Sequence, residues 1–185
     1  MTFRSGFVAV VGRPNVGKST LVNALVGRKV AIVSDKPQTT RRDIRAVLSA
    51  QDYQVVFTDT PGFHKPRTLL GSRLNELVGE ATQGVDVVVQ VVDAQAGVGR
   101  GDAFVFERQV GPSAGPKICV VNKLDVIRNR EEVPQLQAAA DLGGWDEVVP
   151  VSAKVGRGVG VLLGLIVDRL PEGPEPARLL SPATR

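Results

Sequence analysis

The chain has 185 residues, 43% of them hydrophobic, which is enough for one domain with a full core. Its one cysteine, Cys119, excludes a disulfide framework, and no apolar run approaches the roughly 20 residues of a membrane span. A net charge of +4 permits contact with RNA or an acidic surface without demanding it, while one Trp and one Tyr offer no stacking platform for single-stranded RNA.

Residues 1–6 carry no long apolar stretch and lead straight into a strand at 7–11, so no signal peptide is expected and the cytoplasm is the expected compartment. The strand runs into Gly12-Arg13-Pro14-Asn15-Val16-Gly17-Lys18-Ser19, and a helical pattern follows from Thr20. Strand, glycine-bounded loop with Lys-Ser, then helix is the context of a phosphate-binding P-loop. Glycines let backbone amides curl around a phosphate held at the positive end of a helix. Lys18 would place a charge near the β- and γ-phosphates, and Ser19 would offer its hydroxyl to Mg²⁺.

Next comes Pro37-Gln38-Thr39-Thr40-Arg41-Arg42. One of the two threonines, Thr40 by preference, is expected to complete Mg²⁺ coordination and order residues 33–42 as a switch. Arg41, Arg42 and Arg45 cluster beside it and read mainly as a solvated face. Strands at 46–48 and 54–58 are separated only by Gln51-Asp52-Tyr53, which predicts an antiparallel hairpin. Asp59-Thr60-Pro61-Gly62 closes the second of them, at the carboxyl end where α/β ligand sites lie. Asp59 would hold Mg²⁺ through a water, and the Gly62 amide would face the γ-phosphate. A helix is expected near 70–80, with the surface at 62–73 responding to GTP along with the first switch.

Further strands are predicted at 85–92, 117–121 and 148–151, and helices at 102–109, 131–140 and 159–170. The Val-rich strands read as a parallel sheet covered on both faces. Val159, Leu162, Leu163, Ile166 and Leu170 recur at helical spacing until Pro171 stops the last helix. Asn122-Lys123-Leu124-Asp125 ends one apolar run. The Asp125 carboxylate suits the paired N–H donors of guanine, which adenine lacks on that edge, and a site so built rejects the wrong base by roughly 10⁴-fold. Asn122 would tie this loop to the P-loop, and the stem of Lys123 would lie against the base. Ser152-Ala153-Lys154 follows the last strand, where a backbone amide can meet the guanine carbonyl. Singly, each motif is also an ordinary turn. Together, in this order and each at a strand end, they predict a guanine-nucleotide switch on a three-layer α/β fold, its six-stranded sheet mostly parallel with one antiparallel edge strand.

On these residues the chain resembles the translation-factor-class P-loop GTPases, and within them the Era-type GTPases. The closer likeness lies in 12–21, in Pro37-Gln38-Thr39-Thr40-Arg41, in Asp59-Thr60-Pro61-Gly62-Phe63-His64 and in 149–153, and it covers about residues 5–172. The resemblance implies a G domain over 1–171, GTP and GDP as ligands, and GTP hydrolysis supported by Lys18, Thr40 and Gly62. It also implies a role with 16S rRNA in small-subunit assembly, with a peripheral place at the inner membrane admitted, and a monomer. Related GTPases with an Asn at position 15 and a hydrophobic residue at position 63 use K⁺ in place of an arginine finger, so K⁺-stimulated, otherwise slow turnover is expected. Phe63 occupies the place where many GTPases carry a water-orienting glutamine, and His64 beside it is the one histidine. The Pro-rich segment 172–185 reads as a disordered tail, and the KH domain that continues Era-type chains is not in this sequence, which weakens the expectation of RNA binding. Two alternatives stay open: a fragment of a tRNA-modification-type or tandem GTPase, and a nucleotide-binding interaction module with negligible hydrolysis.

Overall fold

A computed structural model describes residues 2–27, 44–59 and 85–173. Strand β1 (Arg4–Val11) leads to helix α1 (Lys18–Val26); β2 (Ile44–Ser49) and β3 (Tyr53–Asp59) form a hairpin. Strand β4 (Val87–Asp93) precedes helix α2 (Arg100–Val105), which widens into a π-helical turn at Phe106–Val110. Then come β5 (Lys117–Asn122), a 3₁₀ turn at Leu124–Val126, α3 (Asn129–Ala140), β6 (Glu147–Pro150) and α4 (Val159–Asp168).

The six strands form one sheet in the order β2-β3-β1-β4-β5-β6. Every neighbouring pair is parallel except β2 with β3, so the hairpin and the antiparallel edge are as the sequence predicts. Period-2 alternation distributes the Val-rich strands between two layers. Val8 and Val10 of β1 and Val87, Val89 and Val91 of β4 pack with Leu21, Leu25, Leu162 and Ile166, which places α1 and α4 on one face. Ala9, Val11 and Val88 pack with Val105 and Val110, and Val121 and Cys119 with Ala139, which places α2 and α3 on the other. Both faces are therefore dry. That explains why β4 is buried along its whole length, its polar residues being the terminal Asp93 and Gln90, whose amide donates to the Asp102 carbonyl at 2.9 Å.

Element ends differ from the sequence reading for local reasons. The Asp102 carboxylate accepts the Gly99 N–H at 2.9 Å, so α2 starts at Arg100 rather than 102. The last turn of α4 tightens, with Arg169 N–H bonding Ile166 and Leu170 N–H bonding Val167, so the α-helix proper ends at Asp168. Strand β4 starts at Val87; just before it the Asp86 carboxylate accepts the Phe7 N–H at 2.7 Å while the Asp86 N–H donates to the Phe7 carbonyl at 2.8 Å. The helix expected near 70–80 and the switch at 33–42 lie outside the described residues.

Beyond α4 the chain folds back along the amino-terminal end of β1. Arg4 donates to the carbonyls of Asp168 and Leu170 at 2.8 and 2.9 Å, Ser5 N–H bonds Pro171, and Gly173 N–H bonds Phe3. Among the described residues no helix is long and apolar enough to cross a membrane.

Candidate nucleotide-binding site

The loop between β1 and α1 reverses direction through residues that tolerate positive φ: Gly12 at 155°, Asn15 at 64° and Gly17 at 100°. Its glycines are also demanded by space. A Cβ on Gly12 would lie 2.5 Å from the Val91 carbonyl oxygen, and one on Gly17 would run into the Asn122 side-chain amide. The Leu21 N–H bond to the Gly17 carbonyl at 2.9 Å is an early helical bond of α1, so the amino end of the helix faces the loop. Lys18 curls over this loop, its Nζ donating to the carbonyls of Gly12 and Arg13 at 2.9 and 2.8 Å. Val16 is buried beneath, while Pro14 and Asn15 are exposed.

Asn122, at the end of β5, joins three loops. Its Nδ2 donates to the Val16 carbonyl at 3.0 Å, and its Oδ1 accepts the Ala153 N–H at 3.0 Å. With both atoms engaged and 2% of its surface exposed, it is a buried rivet between the P-loop and the segment after β6. Lys123 has φ 67°, which turns its stem toward the P-loop; Nζ donates to the Asn15 carbonyl and to Asp93 Oδ2, both at 2.7 Å. Asp125 accepts the hydroxyl of the fully buried Ser152 at 2.5 Å. A cavity of about 230 Å³ opens among Gly17 of the P-loop, Thr20 of α1, Asp125 and Val126 of the 3₁₀ turn, and Ala153-Lys154.

Two acidic residues with no part in the sequence reading support this arrangement. Asp93 ends β4 and is nearly buried. Burial pushes its carboxyl up, but the hydrogen bond and charge of Lys123, with the amides of Ala96 and Gln95, outweigh that and hold it below its ordinary value. Asp102 is fully buried; its Oδ1 accepts Arg13 Nε at 2.8 Å, and Arg13 also reaches the Gly97 carbonyl at 3.2 Å. Asp93 carried a legible signal, an acid closing an apolar strand as Asp59 does. Asp102 carried none, because its partner lies 89 positions away.

The structure thus brings together Gly12, Arg13, Asn15, Val16, Gly17, Lys18, Thr20, Asn122, Lys123, Asp125, Ser152, Ala153 and Lys154. Ser19 lies in the first turn of α1 beside them. Asp59 ends β3 opposite Val10 in the β1 ladder, so the ends of β1 and β3 are side by side. Thr40, Thr60, Pro61, Gly62, Phe63 and His64 lie outside the described residues.

The family model described as 50S ribosome-binding GTPase matches residues 7–123, from β1 through Lys123. The chain belongs to that GTPase family. Within it the sequence is similar to the GTPases named Era. GTPase Era of Mycolicibacterium smegmatis is 49% identical over 175 residues, which are 93% of this chain and 58% of the relative. GTPase Era of Streptomyces coelicolor is 46% identical over 176 residues, 92% of this chain and 56% of the relative. A crystal structure of Era in complex with MgGDPNP and nucleotides 1506–1542 of 16S ribosomal RNA superposes with a TM-score of 0.79 at 35% identity, over 94% of this chain and 59% of that one. A Tyr-to-Ala variant of Aquifex aeolicus Era bound to GDP·AlF₄⁻ superposes with a TM-score of 0.78, also at 35% identity, over 93% and 59%. The chain therefore spans under two thirds of the length of these relatives.

Proposed function

We propose that the chain binds GTP and GDP and hydrolyses GTP slowly, as a switch whose nucleotide state a partner reads. The observation that carries this is the Asn122 bridge, which locks the P-loop and the 122–125 and 152–154 loops around one cavity. Asp125, oriented by Ser152, reads the guanine edge, and the Ala153-Lys154 backbone faces the base carbonyl. The Lys18 ammonium lies over the loop against the Gly12 and Arg13 carbonyls, and a phosphate in the loop would be the stronger, charged acceptor for it.

The residues fit Mg²⁺. Ser19 and Asp59 supply hard oxygen donors, and the side-by-side ends of β1 and β3 bring their backbones to the same edge of the sheet. Thr40 and the Gly62 amide are the remaining members of the proposed set, Thr40 for the metal and Gly62 for the γ-phosphate. When bound, Mg²⁺ neutralises charge on the β- and γ-phosphate oxygens. Asn15 is the proposed K⁺ ligand: it is exposed, and the bond from Lys123 to its carbonyl fixes its backbone. By likeness to Era, the partner is 16S rRNA in small-subunit assembly; the RNA fragment held in the Era crystal structure supports this. A G domain over 1–171, with Glu172 and Gly173 clasped to β1 and a Pro-rich tail to 185, acting as a monomer in the cytoplasm with a peripheral inner-membrane contact, completes the reading.

Steady-state phosphate release from GTP, in KCl and in NaCl of equal ionic strength, tests it. Slow release raised several-fold by K⁺ is expected. Equal rates in both salts would remove the K⁺ role. GTP binding without release in either salt would establish the second reading, a nucleotide-gated interaction module, which Phe63 in the usual glutamine position favours. Asp125→Asn should shift preference from guanine to xanthine nucleotide, since an amide N–H can face the xanthine C2 carbonyl.

A further inference from the structure

Lys123 is a two-ended strut, and one of its ends rests on a residue that the functional reading leaves unused. We propose that Asp93 is a positioning residue of the nucleotide site, its carboxylate fixing the Lys123 ammonium where that lysine braces the P-loop and lines the base cavity. The inference rests on the guanine-nucleotide reading above and adds the residue that prepares one wall of that site.

The sheet register makes the contact. Asp93 is paired with Asn122 across the β4–β5 ladder, so the residue after Asn122 emerges beside the Asp93 side chain. The two carboxylate oxygens then do different work. Oδ1 accepts the N–H groups of Gln95 and Ala96 at 2.8 and 3.1 Å and shapes the turn after β4. Oδ2 accepts Lys123 Nζ at 2.7 Å, and the same ammonium donates to the Asn15 carbonyl, in a residue held at φ 64°. The ion pair is largely shielded, with 9% of the Asp93 side chain and 31% of the Lys123 side chain exposed. Lysine is a flexible four-carbon stem that loses much rotamer freedom when fixed. A carboxylate that fixes it before the ligand arrives moves this cost from binding to folding, which is how preorganisation raises affinity.

The alternative is that Asp93 only caps its turn, and substitution separates the two jobs. Asp93→Asn keeps an oxygen for the Gln95 and Ala96 amides but presents Lys123 with an uncharged group. Asp93→Ser likewise keeps a turn acceptor without charge, and serves if the first variant folds poorly. Titrating the full chain with a fluorescent GDP, we expect either variant to raise Kd about tenfold, about 1.4 kcal/mol, while without nucleotide each variant still melts in a single cooperative transition. In a Lys123→Ala background, itself weakened, the same Asp93 substitution should change Kd less than about twofold, because the residue acts through the lysine. Unchanged affinity in both variants, beside normal binding by the unsubstituted chain, overturns the assignment alone; so does a tenfold loss that persists without Lys123. An unsubstituted chain that binds no guanine nucleotide overturns the functional reading, and this assignment with it.

Discussion

Replacing Arg13 by alanine removes the guanidinium facing a carboxylate that has no access to water. Side-chain exposure is 29% for Arg13 and zero for Asp102, so the arginine is partly solvated whereas the aspartate depends on its neighbours. After truncation, Asp102 keeps the Gly99 N–H at Oδ2 but loses the partner at Oδ1. Stripping one partner from a buried pair costs about 3–5 kcal/mol. Water can enter from the open Arg13 side and one hydrogen bond survives, so about 2–3 kcal/mol is expected here, or about 4–12 °C in melting temperature for a domain of this size. Asp102→Ala removes the charge but orphans the Gly99 amide, and should cost about 1–2 kcal/mol. The double variant, with no buried charge left unpaired, should resemble Asp102→Ala alone, with a coupling of about 2–3 kcal/mol. Urea unfolding followed by the fluorescence of the sole Trp gives each value: Trp145 donates to the Ala139 carbonyl at 2.9 Å and meets the Phe106 ring edge-on at 4.8 Å, so it senses loss of this layer. Losses that simply add, within about 0.5 kcal/mol, would refute the idea that Arg13 compensates Asp102.

Gly17→Ala combines strain at φ 100° with a Cβ thrust against the Asn122 amide, so nucleotide affinity should fall at least about tenfold and stability by about 1–3 kcal/mol; equilibrium binding and urea melts measure both. Acid should erode the Asp93–Lys123 pair. Burial raises the Asp93 carboxyl, but Lys123 and the Ala96 and Gln95 amides bring it below 3.8; its contribution is therefore intact above about pH 4 and lost as pH falls through the lower folded value. The stability gap between the unsubstituted chain and Asp93→Asn should then hold from pH 7 to 5 and close in stronger acid; a gap independent of pH would contradict this. Burial, with the charge of Asp102, pushes the Cys119 thiol far up. A thiol-exchange reagent should leave Cys119 unmodified in the folded chain and label it fully in guanidinium; prompt labelling of the native chain would show that β5 opens.

The sheet was legible because its strands are dry on both faces: uninterrupted Val-rich runs have few other interpretations, and Gln51-Asp52-Tyr53 is too short to hold a crossover. The cavity was legible in its loops because each sits at a strand's carboxyl end, a position that the α/β topology makes common to all of them. Pairings between distant side chains were not. Nothing local at Arg13 announces a partner at Asp102, and the contact exists only because α2 begins where the Arg13 side chain passes over Gly101. Asp93 differs: an acid closing an apolar strand is a legible signal, but the group it serves becomes visible only when the ladder sets it beside Lys123. The widening of α2 into a π-turn at Phe106 likewise has no counterpart in the residue pattern.

The clasp of Asp168, Leu170, Pro171 and Gly173 on the first residues of β1 has a consequence for how the protein communicates. Strand β1 spans Arg4–Val11 and ends at the P-loop, so the clasp stands about 25 Å from the phosphate loop, at the opposite pole of the sheet. The described chain reaches Gly173 at that pole, across the sheet from the nucleotide mouth. Any influence between the two must then pass along a stiff, fully packed strand or around it through a shared partner. A donor dye at Glu172→Cys, within the clasp, and an acceptor on the nucleotide would report this separation as a nearly constant distance through a turnover cycle.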